Sequence, residues 1–354
     1  MKEEILALLP GEISEKMPGV PEYRSRQIFE WLHKKNATAF EEMLNLPKSL
    51  RGELEAGFFI TRAQVSERQT APDGTVKFLT DLNGAYAESV LMQYKHGNSV
   101  CISTQAGCKM GCAFCASGAS GFHRNLTASE YIAQVYNARS LRGVSNIVLM
   151  GCGEPLDNFD ETLRFIKIIT HSTGANISGR NITVSTCGLV PQIYALAQQK
   201  LQITLAVSLH APSDEIRRRF MPIADTYPLG ELIPACRHYA ELTRRRLTFE
   251  YALMAGVNDS PANAKALAKL LQGLLCHVNL IPVNAAVGGF SPASARVIQV
   301  FANVLRDAKI PITVRRSLGN EIDAACGQLR AKRRGAKHEI SSKSYTPNSA
   351  THRL

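Results

Sequence analysis

The sequence predicts an α/β protein whose body is an incomplete (β/α)6-type barrel, preceded by a small helical module and a connecting β-meander. Three patterns predict it. Apolar residues recur at helical spacing up to about residue 57, alternate with period two from 58 to 93, and then form short runs between helical segments from about 100 to 316. Repeated strand–helix units require parallel strands with right-handed crossovers, and six or seven strand-like runs favour an incomplete barrel over the full eight.

In the helical module, residues 1–57, Pro21 stands where a first helical turn begins, and Ile28, Phe29, Trp31 and Leu32 form an apolar stripe. Phe40, Met43 and Leu44 give a second short helix, and Pro47 opens a third that carries Leu50 and Leu54. Arg24, Arg26, Lys34, Lys35, Lys48 and Arg51 lie between these stripes, and the chain carries a net charge of +11. That balance points to a polyanionic partner, most simply nucleic acid. The basic residues fit a solvated face and a small RNA-docking module equally well.

The meander, residues 58–99, comprises runs at 58–69, 75–81 and 86–93, separated by the turn sequences Pro72-Asp73-Gly74 and Asn83-Gly84. Glu88 falls on its third strand, where a single glutamate ordinarily faces solvent. The barrel, residues 100–330, follows with strand-like runs at 100–104, 146–150, 181–185, 203–209, 247–254, 278–283 and 312–315. Helical patterns at 127–141 and 291–308 lie among them, the first opened by the capping box Thr127-Ala128-Ser129-Glu130.

Function in such barrels gathers at the C-terminal ends of the strands, and polar residues fall there. They are Gly153 and Glu154 in Gly151-Cys152-Gly153-Glu154-Pro155, then Ser185, Ser208-Leu209-His210 and Asn284. Each alone is ordinary; four strand ends facing one mouth are what a cofactor site looks like. Cys108, Cys112 and Cys115 form a C-x3-C-x2-C array beside that mouth. Three thiolates from one loop suit an iron–sulfur cubane with one corner open. The alternative is a structural zinc loop with Cys101 as fourth ligand, which a strand over 99–105 disfavours by carrying Cys101 away. Cys326 lies late in the chain between small residues, a setting that usually makes a cysteine a buried hydrophobe. Residues 331–354 read as a disordered basic tail.

Nine cysteines, an odd number with three crowded in one loop, suit a reducing cytoplasm rather than a disulfide framework. The opening MKEEILALLPGEI has no secretory pattern, and no apolar run approaches the ~20 residues of a membrane span. A cytoplasmic protein with no membrane partner is expected.

Taken in order, CISTQAGCKMGCAFC, GFHRNL, GCGEPLDN, NITVSTCGLVP, VSLHAPSDEIRRRFMP, VNLIPVN and EIDAACGQL resemble the RlmN branch of the RlmN/Cfr family of radical S-adenosylmethionine (SAM) methyltransferases. YRSRQIFEWLHKK and LNLPKSLR are similar to it too, so the resemblance covers roughly residues 20–330. Cys152 departs from the pattern, since a methionine commonly stands between the two glycines. The resemblance implies a radical SAM barrel that methylates C2 of an adenine in 23S rRNA and of an adenine beside the tRNA anticodon. It implies two SAM molecules per turnover, one as methyl donor and one as radical source, and a one-electron reductant such as flavodoxin or ferredoxin.

By motif, Cys108, Cys112 and Cys115 would hold a 4Fe-4S cluster, and Gly153, Glu154, Ser185, Ser208, Leu209, His210 and Asn284 the SAM. Cys326 would carry the methyl group, Cys101 would release the product by forming a disulfide with it, and Glu88 would accept a proton. Cfr-like methylation at C8 is the near alternative. A non-catalytic metal-containing RNA-binding factor is the distant one, and it would need neither Cys326 nor Glu154.

Overall fold

Seven parallel strands stand side by side in chain order because their residues are largely apolar and at least one helix separates each from the next. The computed structural model describes residues 2–95, 97–119, 121–283, 289–315, 318–322 and 324. In chain order its strands are β1 (Glu3–Glu4), β2 (Phe58–Phe59), β3 (Gln64–Thr70), β4 (Val76–Leu82), β5 (Ala85–Tyr94), β6 (Gly97–Cys101), β7 (Gln105–Gly107), β8 (Phe122–Asn125), β9 (Asn146–Leu149), β10 (Ile182–Thr186), β11 (Thr204–Ser208), β12 (Leu247–Leu253), β13 (Cys276–Pro282) and β14 (Ile312–Val314). The parallel run is β6-β9-β10-β11-β12-β13-β14, and among the described residues β14 leaves its outer edge open. This agrees with an incomplete barrel.

The meander is part of the same sheet. β3, β4 and β5 extend it antiparallel from β6, with Val90 of β5 opposite Cys101 of β6, so ten described strands form one surface. β6 therefore straddles the boundary expected at residue 99, and it ends sooner than expected. Past Cys101, side chains and loop carbonyls take over the ladder: the Ser103 amide donates to Gln134 (2.9 Å) and the Thr104 amide to the Cys152 carbonyl (2.8 Å).

Helices cover the parallel strands by burying one face. In Ala295–Asp307 the buried residues are Ile298, Phe301, Ala302 and Leu305, the i, i+3, i+4, i+7 stripe of a helix on a sheet. Ala128–Leu141 begins at the expected capping box: the Glu130 amide donates to Thr127 Oγ1 (3.3 Å), and the Thr127 amide to Glu130 Oε2 (2.8 Å).

The N-terminal module is helical as read, with Glu22–His33 and Lys48–Gly57 on the expected stripes. A feature absent from the sequence reading closes it: β1 pairs in parallel with β2. The module and the start of the meander are bonded to the barrel helices at several points. Arg164 Nη1 bridges both carboxylate oxygens of Glu12 at 2.7 Å, Asn137 donates to the Ala63 carbonyl (2.9 Å), and Tyr136 Oη meets His33 Nδ1 at 2.8 Å. His33 is fully buried against Phe29 and His171, and burial lowers its pKa to about 3.

This seam generates a pH prediction. A base whose folded pKa lies below its unfolded value contributes stability above the unfolded pKa and loses it on acidification, because only the unfolded chain gains the proton. The stability advantage of the wild type over His33→Gln should therefore shrink as pH falls from 6.5 towards 4. The slope should be at most about 1.4 kcal/mol per pH unit, read by urea unfolding at each pH. An advantage that grows on acidification would show that His33 is charged in the folded protein.

Candidate active site

The three-cysteine loop is pinched at its base by the β7–β8 hairpin. Gly107 has φ +82°, and any side chain there would collide with the Gly121 carbonyl, so the close approach requires glycine. The Cys108 amide then donates to that carbonyl (2.9 Å), the Cys115 amide to the Cys112 carbonyl (3.1 Å), and the Ala113 amide to the Phe220 carbonyl (2.9 Å). Phe114 stands edge-on to His210 (4.9 Å between centroids) and to Phe220 (5.8 Å). Cys108, Cys112 and Cys115 all line one cavity at the mouth of the parallel strands.

Burial pushes the Cys108 thiol up to about 12 and raises that of Cys112 as well, so a bare thiolate is disfavoured there. Bound metal cations reverse that preference. Among the described residues no three His, Cys, Asp or Glu side chains converge as a single ion would require. Thiols spread around a loop suit the corners of a larger cluster. Cys101 is elsewhere, buried at the end of β6 against Ala71, Val90, Ile322 and Ala324, so the four-cysteine zinc arrangement does not form.

The opposite wall is made by strand ends. After β9 the chain turns through Gly151 and Gly153; a side chain on Gly151 would lie 2.6 Å from the Ile102 carbonyl, and one on Gly153 2.6 Å from Gln105 Cβ. Glu154 is 4 % exposed. Its Oε1 accepts the Leu156 amide (3.0 Å) and its Oε2 the Cys187 amide (2.7 Å). Burial raises its pKa against those two bonds, so a cation entering the cavity would relieve the cost. Ser185, Ser208 and His210 also line the cavity. His210 is in the left-handed region (φ +55°), and its Nδ1 accepts the Ala252 amide (2.9 Å). That bond assigns the ring proton to Nε2, and burial, reinforced by Arg217, lowers the ring's pKa to about 3. His210 is thus a neutral donor.

Leu209 is fully buried and does not line the cavity; its backbone alone is near, with its amide donating to the Glu250 carbonyl (3.1 Å). Asn284 and Cys326, and the tail 331–354, lie outside the described residues. The eight described cysteines are free thiols, so a disulfide involving Cys326 also falls outside them. Glu88 is buried rather than solvent-facing, with Lys77 Nζ 3.3 Å from its carboxylate. Glu88 shares a face of the sheet with Cys101, because Cys101 stands opposite Val90, two residues along β5.

The sequence reading missed a polar corner in the same cavity. Glu250 of β12 accepts from Asn279 (2.9 Å) and faces Arg315 (3.6 Å), and both Glu250 and Arg315 line the cavity. The signal was available: in LTFEYAL, otherwise that of a buried strand, a lone glutamate demands a partner.

Residues 102–267 match the Radical SAM superfamily, and residues 16–60 match the Ribosomal RNA large subunit methyltransferase N-terminal domain. A probable dual-specificity RNA methyltransferase RlmN of Lachnoclostridium phytofermentans is 51 % identical over 336 residues, which cover 93 % of this chain and 94 % of that protein. The corresponding protein of Bacillus velezensis is 50 % identical over 89 % of each. The chain belongs to the RlmN family. A crystal structure of a radical SAM methyltransferase from Sphaerobacter thermophilus superposes with a TM-score of 0.89 at 47 % identity, covering 93 % of this chain and all of that one. As an RlmN-family member the chain is a radical SAM RNA methyltransferase, and membership implies a 4Fe-4S cluster, SAM and an RNA substrate. The residues fit both groups: three thiols of one loop lining the cavity for the cluster, and a buried carboxylate beside neutral donors for the amino acid end of SAM.

Anaerobically reconstituted protein should carry about four irons with matching sulfide. Cys112→Ala should lose most of that iron. Gly153→Ala should bind SAM about tenfold more weakly and hold its iron less firmly, because the added methyl would displace Gln105 and the Glu154 loop together. Stoichiometric zinc with no iron uptake would contradict the assignment.

Proposed function

We propose that this chain methylates C2 of an adenine in 23S rRNA, and of an adenine beside the tRNA anticodon, through a methyl group carried on Cys326. The observation that carries the reading is the packing around Cys101. Ile322 and Ala324, which lead directly into Cys326, lie in one apolar cluster with Cys101. Met150 packs against that cluster and also lines the cysteine-loop cavity. The Gly319 amide donates to Asp73 Oδ2 (2.9 Å), fixing this C-terminal segment on the β3–β4 turn. Cys101, the described residues that precede Cys326 in sequence and a wall of the cavity therefore share one apolar cluster, which supports the reading.

C2 of adenine has no nucleophilic lone pair, so direct transfer from a sulfonium fails and a cysteine-borne carbon is needed. When bound, the cluster and two SAM molecules per turnover supply the methyl group and the radical that activates it, with a flavodoxin or ferredoxin as electron source. The chain's own residues do the rest. Glu88 accepts the C2 proton from the face it shares with Cys101, and the adduct's unpaired electron would return to the oxidised cluster, the one-electron acceptor at hand. The Cys101 thiolate then attacks the Cys326 sulfur, forming a disulfide. The electron pair of the broken carbon–sulfur bond leaves with the methylene carbon, which takes a proton and becomes the methyl group. Apolar walls and the buried strand ends keep water from the reacting carbon.

Cys101→Ala should accumulate a covalent protein–RNA species that survives denaturing electrophoresis, whereas Cys101→Ala/Cys326→Ala should form none. If both cysteines were packing residues, each alanine would cost stability and neither would trap RNA. A Cys101→Ala protein that methylates at the normal rate without adduct would overturn the reading.

A further inference from the structure

Several carbonyls at the strand ends around the site converge on one side chain that the chemistry above does not use. Arg217 lies on the short helix Asp214–Arg218 and is fully buried. Its guanidinium donates to the carbonyls of Cys187 (2.6 Å), Leu209 (3.2 Å), Ser208 (3.4 Å) and Tyr227 (3.4 Å). These bonds join the ends of β10 and β11. Among the described residues no carboxylate comes within the 4.0 Å of an ion pair. Asp214, whose charge it feels, accepts the Leu229 amide instead (2.8 Å).

A guanidinium cannot shed its proton, so this is a permanent positive charge whose partners among the described residues are carbonyl dipoles. Burying such a charge is costly unless something nearby is negative. The cysteine loop is the neighbour that fits. The Ala113 amide is bonded to the Phe220 carbonyl, and the Phe220 and Met221 amides both donate to the Arg217 carbonyl (3.2 and 2.9 Å). The guanidinium itself is bonded to the carbonyls of Cys187 and Ser208, and both residues line the cavity that Cys112 lines. Glu154 opposes it, but SAM would neutralise that carboxylate with its amino group. A cubane held by three thiolates is anionic and becomes more so on reduction, and net charge near a cluster is one of the levers on its potential.

We propose that Arg217 is the fixed counter-charge of the cluster, raising its reduction potential, while the same hydrogen bonds hold the Ser208-Leu209 backbone in place. This rests on the cluster reading above. The test is an EPR-monitored redox titration, with iron counted in the same samples, for wild type, Arg217→Lys, Arg217→Gln and Arg217→Met. Arg217→Lys should keep a potential near the wild type. The two neutral variants should show a reduced-to-oxidised ratio at least tenfold lower at the wild-type midpoint, a shift of about 59 mV to more negative potential for one electron. Neutral variants that fold but hold no cluster, beside a loaded Arg217→Lys, would also support the charge.

Loaded neutral variants with an unchanged potential would overturn the assignment. So would an Arg217→Lys protein that holds no cluster or shifts as far as they do, and that variant decides alone if the neutral ones do not fold. Iron missing from the wild type would instead overturn the cluster reading itself.

Discussion

Glu154 is held almost out of water, with the Leu156 amide on one carboxylate oxygen and the Cys187 amide on the other. Its own amide donates to Gln105 (3.0 Å), and Gln105 in turn donates to Asn125 (2.9 Å) and Asp157 (2.7 Å). One buried residue thus ties the turn after β9 to the end of β10 and to the hairpin beneath the cysteine loop. The glycines on either side of Cys152 are what let this turn lie so close to residues 102–105. Weakening any member would loosen the cysteine loop and the strand ends together, which is why the site acts as one structural unit.

The electrostatics follow from the same burial. A carboxylate with a raised pKa and thiols with raised pKa values line one cavity, and behind its Cys187 and Ser208 wall lies a guanidinium with no ion-pair partner among the described residues. Each is costly alone, and a cationic amino group and a metal cluster would relieve the first two. His210, kept neutral by its burial and its bond to Ala252, adds a donor without adding charge. On the far side of the sheet junction, Lys77 and Glu88 bury a matched pair beside Cys101. The charges are arranged so that chemistry at the cavity and chemistry at Cys101 have separate surroundings while sharing Met150 as a wall.

The parallel strands were legible because burial on both faces writes them as apolar runs; β9 to β14 fall within two residues of the expected ends. The cysteine loop and the Gly153-Glu154 turn were legible because their residue types are unusual in combination. What failed were contacts made by few residues or by backbone alone. β1 and β7 are two and three residues long, too short to carry a period. Glu88 looked solvent-facing because its partner, Lys77, lies on another strand. Leu209 was expected at the cofactor by motif; its side chain is in the core, which leaves that role to its backbone. Arg217 was invisible because its partners are carbonyls, which leave no trace in a sequence.

Nucleoside mass spectrometry of 23S rRNA and tRNA tests the central claim most directly, comparing a strain that lacks this chain with one that has it restored. The account predicts that 2-methyladenosine is absent from both RNAs in the first and returns in the second. 8-Methyladenosine in its place, or methylation unchanged by the loss of the chain, would contradict it.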